Sequence, residues 1–145
     1  MHKTDGICKL CNTLERNRTH IFMNCEIINQ VYLHFLPLIR RFDNRALSEK
    51  EKAFGITENN PKILLRNYMT YTIRHIVYRN RNIKLNNNAN INSIIINKVE
   101  KHIKVDLMER YNLFKLKGEL QTFKNIYLID NILGELENNN LTLGI

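Results

Sequence analysis

The sequence predicts an all-α protein: a small cysteine-rich head followed by a bundle of about four helices. Three observations carry that prediction. Apolar residues recur at three- and four-residue intervals over most of the chain, and strand-like alternation is scarce. All three cysteines, meanwhile, crowd into residues 8–25. A length of 145 residues fits one domain with a small appendage, and a hydrophobic fraction of 43% is enough for a packed core.

The first helix is read over residues 27–42, where Ile27, Ile28, Val31, Tyr32, Phe35, Leu36 and Ile39 share a face. Pro37 inside it is expected to bend it. "SEKE" at 48–51 is a capping-box pattern, with Ser48 as N-cap and Glu51 reaching back, and Gly55 closes that short turn. Asn60 followed by Pro61 marks the next start, since proline at the first helical position loses no hydrogen bond. The helix it opens carries Leu64, Leu65, Tyr68, Tyr71, Thr72, Ile76 and Val77 towards Arg81. After the asparagine-rich break at 86–90, a long pattern runs from Asn92 to about Lys117. Its stripe is Ile95, Val99, His102 or Ile103, Leu107, Arg110 or Tyr111, and Phe114. A last helix is expected from Glu119 to Leu136, with Leu120, Phe123, Tyr127 and Leu133 on one side. "ENNN" at 137–140 reads as a frayed end, so residues 138–145 are expected to be disordered.

Charge is distributed unevenly. The net charge is +8, with +2 in residues 1–60, +9 in residues 61–117 and −3 in the remainder. A basic middle points to an anionic partner, nucleic acid first, or else to solvated helix faces. No apolar run is long enough to span a bilayer, and residues 1–11 carry no secretory apolar core. The expectation is therefore a protein without a membrane role, intracellular, either nuclear or cytoplasmic. Thiols in that setting stay reduced, and clustered cysteines serve metals more often than disulfides.

The cluster is spaced Cys8-x2-Cys11-x8-His20-x4-Cys25. Structural zinc takes four thiolate or imidazole ligands in a tetrahedron, and a two-residue gap lets two thiolates of a tight turn meet one ion. Five residues turn a helix about 140° past a full circle, so the chain must bend between His20 and Cys25. Cys25 then falls at or just before the start of the first helix. There the helix dipole favours a Cys3His site of net charge about −1. Four ligands would close the site, which makes the zinc structural, one ion per chain, rather than catalytic. Two other readings are that the cysteines are small buried hydrophobes with a surface histidine, or that Cys8 and Cys11 are a redox pair. The second lacks the βαβ pattern that usually surrounds such a pair.

Together with Glu15, the apolar "IFM" at 21–23 and an aromatic residue at Tyr32, this stretch resembles a known region. It is similar to the zinc-binding region at the C-terminal end of non-LTR (LINE-type) retrotransposon reverse transcriptases. The likeness continues more weakly through "KAFGI" at 52–56 and "IRHIVYRNRN" at 73–82, covering roughly residues 5–85. Residues 91–137 then read as a helical tail. Glu26 stands where that family commonly has proline, tryptophan is absent, and no Tyr-x-Asp-Asp polymerase motif occurs. The resemblance implies a zinc-knuckle accessory piece of a retroelement polyprotein, without polymerase or endonuclease. Its partners would be RNA or DNA and the rest of that polyprotein.

Within the basic middle, Arg74, Tyr78 and Arg81 fall on one helix face at i, i+4 and i+7. With Arg66, Arg79 and Lys84 they form the candidate nucleic-acid contacts, since arginines grip phosphates and an aromatic ring stacks on bases. The competing reading is a solvated helix end that favours cations. Lys98, Lys101 and Lys104 read as an exposed face. No carboxylate pair, glycine-rich phosphate loop or Ser–His–Asp set appears, so no enzymatic activity is expected. A helical interaction or structural protein with an architectural zinc, or a nonfunctional retroelement remnant, are the other functional readings.

Overall fold

A computed structural model describes residues 26–80 and 90–145. The described residues are mostly helical. Helix α1 spans Glu26–Phe42, α2 Glu49–Phe54, α3 Pro61–Arg79, α4 Ile91–Leu116 and α5 Leu120–Tyr127. A 3₁₀ turn at Ile129–Asn131 leads into an antiparallel hairpin of β1, Gly134–Glu137, and β2, Asn140–Leu143. Helices α1, α3 and α4 pack on one another and enclose the main core.

Several helices follow their sequence signals. Helix α1 buries Ile28, Val31, Phe35, Ile39 and Phe42. It runs through Pro37, which is exposed, so water can take the carbonyl that proline leaves without a donor. The Ser48 capping box is present, with the Ser48 hydroxyl accepting from the Glu51 amide and the Glu51 carboxylate from the Ser48 amide. Asn60 caps α3, its side chain accepting from the Lys62 amide, and Pro61 occupies the first position. Along α4 the buried stripe is Ile95, Val99, Ile103, Leu107 and Tyr111; His102 and Arg110 lie outside it.

Helix α3 departs from the amphipathic pattern. Ile63, Leu65, Arg66, Met69, Thr70, Thr72, Ile73, Arg74, Ile76 and Val77 are all buried, which covers most of its circumference. Thr72 and Thr70 turn their hydroxyls back on the helix, donating to the carbonyls of Tyr68 (2.8 Å) and Asn67 (3.2 Å). This is how polar side chains sit in a packed helix without orphaned groups. The Asn67 side chain clamps the loop after α2, accepting from the Ile56 amide and donating to its carbonyl, both at 2.9 Å.

The C-terminal region corrects the expected last helix and the expected disorder after residue 137. Helix α5 stops at Tyr127 because Asp130 and Asn131 both adopt left-handed backbone, at φ 53° and 54°. Asn138 and Asn139, at φ 50° and 63°, then form the two-residue tip of the hairpin. Asparagine tolerates that conformation, and two consecutive left-handed residues are what a tight type I′ hairpin needs. Leu136 and Leu141 face each other across the strands and pack on the satellite cluster of Tyr111, Phe123 and Leu128. Leu143 and Ile145 close on the main core beside Ile132 and Leu133.

Candidate functional site

Cys8, Cys11, His20 and Cys25, the candidate zinc ligands, lie outside the described residues, as do Arg81 and Lys84. Three thiols and an imidazole suit a closed tetrahedral zinc by their chemistry. Among the described residues, no group of three or more His, Cys, Asp or Glu side chains is placed to hold a metal. Nor is any described helix long and apolar enough to cross a membrane.

The four remaining predicted nucleic-acid contacts divide into two pairs. Tyr78 and Arg79 are exposed. Arg66 and Arg74, in contrast, are only 2% and 7% exposed. Arg66 donates from Nη1 to Asp43 Oδ1 (3.1 Å) and from Nη2 to the Arg45 carbonyl (2.7 Å). Burial pulls the Arg74 guanidinium below its usual range. The expectation that both arginines present themselves to phosphates therefore fails as placed. An i, i+4, i+7 alignment fixes which side chains share a face, but packing decides which face meets water.

Water meets a different stripe of α3. Leu64, Tyr68, Tyr71, His75 and Tyr78 follow one another at intervals of four, three, four and three residues, which keeps them on one side. Leu64, Tyr71 and Tyr78 are exposed, Tyr71 at 62%, while Tyr68 and His75 are half-buried. The Tyr71 and His75 rings stack nearly parallel, 5.8 Å apart with 7° between their planes. Arg79 follows at the stripe's C-terminal end.

At its N-terminal end the stripe meets a cavity of about 250 Å³ lined by Leu64, Leu65, Tyr68, Arg110, Ile126 and Tyr127 among others. A polar chain braces its wall. The Tyr68 hydroxyl donates to Asp106 Oδ2 (2.5 Å), Arg110 Nε donates to the same oxygen (3.0 Å), and Arg110 Nη1 donates to the Tyr127 hydroxyl (2.7 Å). Burial, and then the Asp106 carboxylate, push the Tyr68 phenol above its usual range, so it stays protonated and keeps donating. The Arg110 guanidinium also lies over the Tyr127 ring, 5.4 Å from its centre.

Chemically, the stripe offers flat π faces, an apolar hollow and nearby guanidinium groups. Such a surface suits stacking and cation–π contact with bases, or burial against an apolar partner helix. Sequence reasoning listed Tyr71 only as part of the helical pattern and read His75 as a packed or capping histidine, so neither was among the candidate contacts. The alternating four-three spacing of Tyr68, Tyr71, His75 and Tyr78 was the signal available. Lys98, Lys101 and Lys104 are exposed on α4 as expected, and Lys98 donates to the Asn80 side chain at the end of α3 (2.8 Å). Comparison with known proteins gives no matching family model, no matching curated protein and no matching solved structure.

Proposed function

We propose that this chain is a zinc-stabilised nucleic-acid-binding accessory domain, a piece of a retrotransposon reverse-transcriptase polyprotein without the polymerase and endonuclease. One observation carries the reading: the spacing Cys8-x2-Cys11-x8-His20-x4-Cys25, followed in the sequence by the residues of α1. The zinc staples a head with few apolar residues of its own. The nucleic-acid surface is the open stripe of α3, where Tyr71, His75 and Tyr78 stack on bases. Arg79, with Arg81 and Lys84 beyond it in the sequence, meets phosphates.

The test has two parts. Protein purified without chelator contains about one zinc per chain, and His20→Ala weakens its retention. Single-stranded RNA and DNA bind with affinities that fall steeply with salt, and Arg79→Glu lowers the slope by about one. Tyr71→Ala costs about tenfold in affinity at fixed salt, the worth of one stacked base. A folded, metal-free protein refutes the zinc. Binding that ignores salt and both substitutions refutes the surface.

A second reading is favoured by a specific observation. Val105, Met108 and Leu116 are exposed along the outer side of α4, and Leu64 and Tyr71 along α3. Exposed apolar rows on two helices suit a helical protein-interaction role with an architectural zinc. Absence of nucleic-acid binding at low salt would favour that reading.

A further inference from the structure

Two hollows adjoin where α3 begins and α5 ends, and Pro61 and Asn125 line both. The first, of about 250 Å³, is the cavity at the head of the α3 stripe, walled by Leu64, Leu65, Ile126 and the Tyr68 and Tyr127 rings. Leu64 and Ile126 are 53% and 43% exposed, so an apolar body seated between them would take that surface out of water. Pockets for drug-sized ligands start near about 300 Å³, so this one suits a single flat ring system. The polar groups left over at its rim are donors. Arg110 uses Nε on Asp106 and Nη1 on Tyr127, and its Nη2 has no acceptor among the described residues. Asn125 accepts from Gln121 on Oδ1 (3.0 Å), which leaves its amide hydrogens. The second hollow, of about 670 Å³, is lined by Lys62, Lys124 and Asp130 beside the N-cap of α3. Lys62 is paired with Asp130, and Lys124 has no carboxylate partner among the described residues. The positive end of the α3 dipole adds to that surplus charge.

We propose that the two hollows together bind one nucleotide. Its base lies in the first, against the Tyr68 and Tyr127 rings. Its phosphate lies in the second, on Lys124, and the Asn125 amide on the shared wall donates to it. A flat, acceptor-rich ring joined to an anion matches an aromatic and apolar hollow with donors at its rim and a cation next to it. An apolar peptide side chain would fill the first hollow and leave the lysine unused. The nucleotide has two sources, a free mononucleotide or one unpaired nucleotide of a strand. The free source stands on the hollows alone, whereas the strand source rests on the nucleic-acid reading above. Neither hollow is lined by Tyr71, His75, Tyr78 or Arg79, so the two surfaces can fail separately.

The experiment is calorimetric titration of the full chain at low salt with adenosine monophosphate, adenosine, inorganic phosphate and a single-stranded oligonucleotide. The monophosphate binds about tenfold more tightly than adenosine, and inorganic phosphate at the same concentration does not displace it. Lys124→Glu removes that advantage and leaves adenosine as it was. Ile126→Glu, which puts a carboxylate at the mouth of the first hollow, weakens both. Lys104→Glu, the same charge change on an exposed face of α4, keeps the binding. With a free mononucleotide as the source, the oligonucleotide does not displace the monophosphate. With a strand as the source, the oligonucleotide displaces it or binds where it does not, and Lys124→Glu and Ile126→Glu weaken the oligonucleotide. Should Ile126→Glu fail to fold, Leu64→Ala on the opposite wall reads out the same loss. The proposal is overturned if neither the monophosphate nor the oligonucleotide binds, or if Lys124→Glu and the hollow variants leave the observed binding unchanged. It is also overturned if adenosine binds as tightly as the monophosphate and Lys124→Glu has no effect. Oligonucleotide binding that responds only to Tyr71→Ala and Arg79→Glu sinks the hollows and keeps the stripe. Monophosphate binding that responds to Lys124→Glu, with no oligonucleotide binding, does the reverse.

Discussion

Replacing Asp43 by alanine removes the carboxylate partner of a guanidinium that the fold has taken almost wholly out of water. The Arg66 side chain is 2% exposed, and its Nη1 donates to Asp43 Oδ1 at 3.1 Å. Its Nη2 holds the Arg45 carbonyl, and its Nε has no partner. Without Asp43 the charge would keep one neutral acceptor. Losing one member of a buried pair costs about 3–5 kcal/mol when burial is complete. Asp43 is 21% exposed, so water can enter its place, and the lower figure of about 2–3 kcal/mol is expected. For a chain of this length that is a fall of about 5–10 °C in melting temperature, or a proportional loss in urea unfolding. Adding Arg66→Met, which replaces the stranded charge by an apolar side chain of similar length, should recover most of it. Acid provides an independent readout. Burial pushes the Asp43 carboxyl up, but the Arg45 backbone amide and side chain and the Arg66 charge outweigh it and hold it below its usual range. The folded value then lies under the unfolded one, near 3.9, so the unfolded state binds the proton first. The contribution is complete above that value and disappears as pH falls through the lowered one. A loss under about 0.5 kcal/mol in Asp43→Ala, or no recovery on adding Arg66→Met, would falsify the reasoning.

Two further outcomes concern the hairpin. A β-carbon on Gly134 would sit 2.6 Å from the Thr142 carbonyl oxygen across the strands, so Gly134→Ala should cost about 1–3 kcal/mol in urea unfolding. An unchanged midpoint would mean the strands are not paired in this register. The Tyr111 hydroxyl donates to the Asn139 carbonyl at the hairpin tip. Tyr111→Phe should therefore cost about 1 kcal/mol and speed amide exchange at the tip, and unchanged exchange there would contradict that contact.

Much of the helical fold was legible because its signals are local. Ser48 with Glu51, Asn60 with Pro61, and the stripe from Ile95 to Tyr111 each act within a turn or two of the backbone. The hairpin was harder to see, since asparagine serves two ends. The same tolerance of left-handed backbone that reads as fraying in "ENNN" is what closes a two-residue turn between "ELE" and "NLTL". The alternation of Gly134, Leu136, Leu141 and Leu143 was present in the sequence, but only eight residues carry it. Arg66 and Arg74 failed for a different reason. Their burial depends on α1 covering one side of α3 and on Asp43 lying within reach, and spacing along α3 contains neither fact.

That failure changes how the nucleic-acid reading must be tested. Helix α3 is both the centre of the core and the bearer of the open aromatic stripe, so substitutions along it divide by face. Glutamate at Arg66 or Arg74 would place a carboxylate in the interior, and lost binding would then report a damaged fold instead of a lost phosphate contact. Tyr71 and Arg79 sit where water already reaches them, and changes there leave the packing of Met69, Ile73 and Val77 alone. A binding defect in those two variants, with unfolding midpoints unchanged, isolates the surface from the scaffold. The same division applies to the protein-interaction reading, because Leu64 and Tyr71 would be anchors for a partner helix as readily as platforms for bases. Salt separates the two: a phosphate-bound surface weakens steeply as counterions rise, while an apolar helix–helix contact holds or tightens.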